Sequence, residues 1–179
     1  MSLVNKSPET YDQVLGLRVV RAYTDQAIPE QEMAAILEAA RWTGSSKNVQ
    51  GWEFVVVEGD QLSVLATAGS FTDPIRNSTA AIALVQTPDG NPFDIGRAAQ
   101  NVMLAAAARG IGSCPITLHD DDRSAEVLGL PTGFSCRYAI SLGYPSEEGE
   151  SRLREARRAG GMRGRKAIAE LTHYQRYGG

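Results

Sequence analysis

Two pairs of arginines lie near opposite ends of this chain. Arg18 and Arg21 flank Val19 and Val20, and Arg163 and Arg165 flank Gly164. A guanidinium offers a planar fork of donors that matches phosphate oxygens two at a time. An isolated arginine pair is more often a solvated surface feature, so the pairs alone make no site. Between them lies a polar loop, Gly44 to Gly51, with Ser45, Ser46, Asn48 and Gln50. Its small and amide side chains suit the polar edge of a flat aromatic ligand. A lone Ser-Ser-x-Asn is also what a plain turn looks like. Further on, Gly112-Ser-Cys-Pro-Ile-Thr-Leu118 reads as a short strand or an extended segment beside a site. Cys114 within it reads as a small packed hydrophobe, since no basic partner stands nearby to make it a nucleophile.

Other chemistries find little support. Two cysteines, Cys114 and Cys136, have neither metal-ligand spacing nor the look of a disulfide framework. Two histidines, His119 and His173, argue against a multi-histidine metal site. No glycine-rich dinucleotide or phosphate loop is present. The net charge of −3 argues against a general nucleic-acid binder. The run from Arg152 to Lys166, with Arg157 and Arg158, reads as a solvated loop and carries no aromatic residue for base stacking. No apolar run approaches the roughly 20 residues of a membrane span. The start, MSLVNKSPE, lacks the apolar core of a signal peptide. These features predict a soluble cytoplasmic protein of one domain over residues 1–179.

The elements that position these groups follow from caps and periodicity. Ser7-Pro8-Glu9 predicts a helix stopping at Gly16. Pro29 opens a second, with Met33, Ile36, Leu37 and Ala40 on one face. Phe54 to Val57 reads as a buried strand and Ala80 to Val85 as a second strand, unalternating and so covered on both faces. Gln61 to Ala68 and Asp122 to Leu128 read as helices, and Arg137 to Leu142 as a strand. Asn91-Pro92 starts a long alanine-rich helix with Ile95, Ala99, Val102 and Ala106 on one face. Gln100 and Asn101 inside it call for hydrogen-bond partners. Ser146 to Lys166 reads as polar loop. The tail that follows, with Ile168, Leu171, Tyr174 and Tyr177, is too apolar to hang free. Alternating helices and covered strands make a layered sheet-and-helix domain.

The stretch Asp94 to Cys114, DIGRAAQNVMLAAAARGIGSC, resembles the central helix of the FMN-dependent nitroreductase family. Other segments resemble that family too. Arg18 and Arg21 fall on its Arg-Arg-Ser-x-Arg motif, with Leu17 and Val19 in place of the first arginine and the serine. Ser45, Asn48, Gln50 and Trp52 fall on Pro-Ser-x-x-Asn-x-Gln-Pro-Trp, with Gly44 and Gly51 in place of the prolines. Arg163-Gly-Arg165 falls on the Lys/Arg-x-Arg signature that grips the FMN phosphate. Pro115, Ile116, Thr117 and Leu118 match the stretch under the isoalloxazine ring, where many relatives have Glu-Gly for Thr117-Leu118.

The resemblance runs from about Arg18 to Tyr177. It implies an α+β fold, a three-layer α/β/α sandwich with a mixed, mostly antiparallel sheet, as an intertwined homodimer. Residues 146–179 would complete the flavin site and dock on the partner subunit, and the 45–50 loop would reach the partner's flavin. The implied cofactor is non-covalent FMN, held by Arg18, Val19, Arg21, Ser45, Ser46, Asn48, Gln50, Pro115, Ile116, Thr117, Leu118, Arg163 and Arg165. Because FMN carries the hydride chemistry, no protein residue is expected to be catalytic. NAD(P)H is the transient donor and a nitroaromatic or quinone the acceptor. The rivals are a flavin carrier, a flavin-fragmenting or dehalogenating relative, and a nucleic-acid module built on Arg152 to Lys166.

Overall fold

Ala80–Gln86, β2, has no polar alternation, and its two sets of side chains enter two different cores. Ala80, Ile82 and Leu84 face one and Ala81, Ala83 and Val85 the other, all at most 1% exposed. The computed structural model describes residues 7–159 and 164–178, with side chains described in all but 157–159. The strands Trp52–Glu58 (β1), Gly112–Thr117 (β3) and Ser135–Gly143 (β4) complete a sheet of order β1-β2-β4-β3. Every pairing among the described strands is antiparallel. A mixed, mostly antiparallel sheet was expected; among the described residues no strand lies parallel to either edge strand. β1, expected to be buried, has Val57 covered and Val56 exposed, as an edge strand permits.

Helices cover both faces. On one lie Glu30–Arg41 (α2) and Pro92–Ala107 (α5). On the other lie Gln61–Leu65 (α3), Asp73–Arg76 (α4) and Asp121–Leu128 (α6). This is the expected three-layer arrangement. α5 begins as its sequence requires: the Asn91 side chain accepts from the Phe93 N–H at 2.9 Å, with Pro92 at the first helical position. It buries Ile95, Ala98, Val102 and Ala106, and Ala99, expected on the same face, packs partly buried against the same core. Small side chains let it lie close to the sheet.

Part of the chain leaves apolar surface uncovered. Pro8–Gly16, α1, buries no residue, and Tyr11 is 65% exposed. Phe93 of α5 is exposed, as are Ile168, Leu171, Tyr174 and Tyr177 of the tail.

The main departure from the sequence reading is Glu147–Ala159, α7, where a polar loop was expected. Charge makes this helix. Glu147, Glu148 and Glu150 lie in its first turn, where the helix dipole favours carboxylates. Ser146 Oγ accepts from the Gly149 N–H at 3.3 Å, and Arg152 pairs with Glu148 four residues before it.

Candidate functional site

Residues 17–25 run from α1 across the open edge of β3 and are anchored along their main chain. Val20 N–H donates to Ser113 O at 2.9 Å and Thr24 N–H to Tyr144 O at 2.9 Å. Ala22 O accepts from Ser146 N–H at 2.9 Å. The N–H groups of Arg21 and Ala22 both donate to Glu150 Oε1, at 2.5 and 2.9 Å. Tyr23 Oη donates to Val20 O at 2.7 Å and meets Ser141 Oγ at 2.8 Å. Gly112 permits this crossing, since a Cβ there would come within 2.7 Å of Val20.

The two arginines of this segment lie in different cavities. Arg18 lines one of about 350 Å³ with Gly16, Leu17, Gly110 and Ser113. It donates to the Leu15 and Leu17 carbonyls at 2.7 and 2.8 Å, closing the end of α1. Arg21 lines another of about 350 Å³ with Phe71, Asp73, Asn77 and Leu153. Val19, placed by the resemblance at the cofactor, packs against the second core instead. It has no polar side chain to offer an anion.

β3 presents its main chain to the same edge. Leu118 N–H donates to Arg137 O at 2.9 Å, across the register that pairs Ile116 with Ala139. Antiparallel pairing alternates, so the main-chain groups of Ser113, Pro115 and Thr117 face away from β4. The bond from Val20 to Ser113 O confirms that direction. Pro115 is exposed and Thr117 half-buried. Ile116 and Leu118 side chains are buried in the second core, and the same register turns their main-chain groups toward β4. Cys114 is buried, as expected of a packed thiol.

The neighbouring Cys136 of β4 gives a test of this packing. Burial pushes its thiol from the ordinary 9.0 up to about 12, and burial also raises the Tyr23 hydroxyl. Above pH 9 an unfolded chain has released the thiol proton while the folded one holds it, so stability falls as pH rises. The slope from Cys136 is about 1.4 kcal/mol per pH unit between roughly pH 9 and 12. Urea unfolding at pH 10.5 should therefore show about 2 kcal/mol less stability than at pH 8 from this group. Tyr23 adds to the loss from about pH 10, and Cys136→Ala removes the Cys136 share. Stability that is flat from pH 8 to 10.5 would contradict the packing described.

The loop of Ser45, Ser46, Asn48 and Gln50 is strained and exposed. Lys47, Asn48 and Gln50 have φ of 52°, 56° and 54°, in the left-handed region that costs residues other than glycine. Ser45 Oγ accepts from the Gln50 N–H at 2.9 Å and closes the loop. α5 holds its base: Arg97 donates to Gly44 O, and Asn101 Nδ2 donates to Thr43 Oγ1 at 2.9 Å. Asn101 thus has the partner its sequence position calls for. Gly51 sits against Gly90, where a Cβ would come within 2.4 Å of the Gly90 Cα. A proline ring at 51 would need the same space.

One chain does not bring this loop to the β3 edge. The loop hangs from Arg97 and Asn101, whereas the Arg18 cavity meets α5 at Ala107. At a rise of 1.5 Å per residue, these points lie about 9–15 Å apart along the helix.

At the C-terminus Arg165 is exposed, while Arg163 lies outside the described residues. Sequence reasoning missed Glu150 and the α7 contact. The signal available was Ser146 followed by three glutamates within four residues, a helix start. Among the described residues no cluster of three or more His, Cys, Asp or Glu side chains could hold a metal ion. No described helix is long and apolar enough to cross a membrane. The groups along this edge have the chemistry to suit a phosphate-bearing flat ring: Arg18 and Arg21 are cations in separate cavities, and Thr117 turns its main chain away from β4.

Known proteins give the same direction. The Nitroreductase family model matches residues 16–89 and 77–144. A protein of Archaeoglobus fulgidus, named provisionally as an NADH dehydrogenase/NAD(P)H nitroreductase, is 31% identical over 78% of this chain and 87% of its own. An FMN reductase (NADPH) of Bacillus subtilis is 26% identical over 76% of this chain and 66% of its own. The solved FMN-dependent nitroreductase of Clostridium difficile superposes with a TM-score of 0.71 at 25% identity, covering 89% of this chain and 95% of that one.

Proposed function

The chain belongs to the nitroreductase family, and from that premise we propose that it is an NAD(P)H-dependent FMN oxidoreductase that reduces electron-poor acceptors such as nitroaromatics or quinones. The observation that carries this reading is the open edge of β3, where the Thr117 N–H faces outward and residues 17–25 bring Arg18 and Arg21 alongside. When bound, FMN would supply the hydride-transfer chemistry between NAD(P)H and the acceptor. The protein supplies place and charge. Arg18, Arg21, Arg163 and Arg165 hold the phosphate and the polar edge of the cofactor. Thr117 donates its main-chain N–H to the ring where negative charge develops, a task for which a fixed donor needs no reorganisation.

The protein works as a homodimer. α1, the Phe93 face of α5 and the tail all leave apolar side chains exposed, and a second copy would cover them. The same pairing takes Ser45, Ser46, Asn48 and Gln50 to the partner's cofactor, which their own chain does not let them reach. The reading includes a cytoplasmic location, where a pyridine-nucleotide donor is available.

The phosphate contacts are tested by comparing FMN with riboflavin, which has the same ring without the phosphate. Titration by flavin fluorescence should show FMN binding at least about 10-fold tighter, as one charge-assisted contact of 1.5–3 kcal/mol requires. Equal affinity for the two would sink the arginine assignment.

A further inference from the structure

We infer that Glu150, on α7, is a positioning residue that sets Arg21 in the proposed flavin site; this rests on the FMN reading above. Glu150 is a carboxylate only 9% exposed, and a buried charge is retained when hydrogen bonds repay its lost water. Its Oε1 accepts from both the Arg21 and the Ala22 N–H groups. Successive N–H groups of an extended strand point to opposite sides. Two that meet on one oxygen therefore mark a bend, and the carboxylate fixes that bend at Arg21.

The rest of α7 is seated to hold the carboxylate there. Ser146 N–H donates to Ala22 O at 2.9 Å, one turn before Glu150. Gly149 lets the helix close in, since a Cβ there would lie 2.6 Å from the Ala22 methyl. Leu153 follows Glu150 by three residues, on the same helix face, and lines the cavity that Arg21 lines. α7 thus sets the main chain under Arg21 and walls the space in front of it.

The test measures the FMN dissociation constant for wild type, E150A, E150Q, R21A and the R21A/E150A double variant, with thermal unfolding alongside. E150A should weaken FMN binding about 10-fold, the worth of a misplaced charge-assisted contact. E150Q keeps an oxygen acceptor and should stay within about threefold of wild type. The double variant should match R21A within about twofold, because Glu150 acts through Arg21. If E150A fails to fold, G149A serves in its place. It pushes α7 away from Ala22 and leaves the carboxylate, and it should weaken FMN binding in the same direction. E150A with wild-type affinity, or E150A and R21A effects that simply add, would overturn the role while leaving the flavin reading standing. A wild-type protein that does not bind FMN overturns both.

Discussion

Thr117→Pro lowers NAD(P)H-dependent turnover about 100-fold, the scale of losing one preorganised donor to developing negative charge. The substitution removes a single N–H, and by the β3 register that N–H faces away from β4. No ladder bond is lost. β3 is an edge strand and already carries Pro115 in the same outward register two residues earlier. Proline is tolerated at such positions. FMN affinity should fall by no more than about fivefold, the worth of an ordinary hydrogen bond. The diagnostic pattern is therefore a large loss in kcat with small changes in FMN affinity and unfolding temperature. Thr117→Ala, which keeps the N–H, should retain turnover within about threefold. Full activity in Thr117→Pro would show that this amide does not serve the reaction.

The second large effect is on cofactor retention. Arg165→Ala should weaken FMN binding by about 10- to 100-fold, as loss of a charge-assisted phosphate contact implies. Arg165 is exposed and takes part in none of the ion pairs among the described residues. Its loss should therefore move the unfolding temperature of the flavin-free protein by less than about 2 °C, as for a surface change. Affinity is read by fluorescence titration of that flavin-free protein. Arg165→Lys should restore part of the affinity, because an ammonium keeps the charge and loses the two-pronged geometry. Wild-type affinity in Arg165→Ala would remove the C-terminal arginines from the site.

The sequence carried most of the fold. β2 was legible as a doubly covered strand because its apolar run has no alternation, and α2 and α5 because proline starts and 3.6-residue periodicity coincide. α7 was not legible from apolar periodicity, because charge pairs and its glutamate-rich first turn make it. The expected site residues divide the same way. Thr117 turns its main-chain groups away from β4, but Ile116 and Leu118 side chains alternate inward and fill the core, as strand periodicity dictates. Arg18 and Arg21 line different cavities, because the chain follows the β3 edge and then bends at Arg21. The Ser45–Gln50 loop reads as polar and exposed in sequence and in structure. Its distance from the β3 edge is a property of tertiary packing on α5. Glu150 is invisible from local pattern because its partners lie 128 and 129 residues away.

The proposed function requires a flavin that accepts hydride from a nicotinamide in this protein. The most direct measurement is the visible absorbance spectrum of the purified, FMN-loaded protein before and after anaerobic NADH or NADPH. The expected result is a yellow protein whose flavin band bleaches with at least one nucleotide and returns on adding a quinone or nitroaromatic. A protein that stays colourless after FMN is added, or a yellow one that bleaches with neither nucleotide, would contradict it.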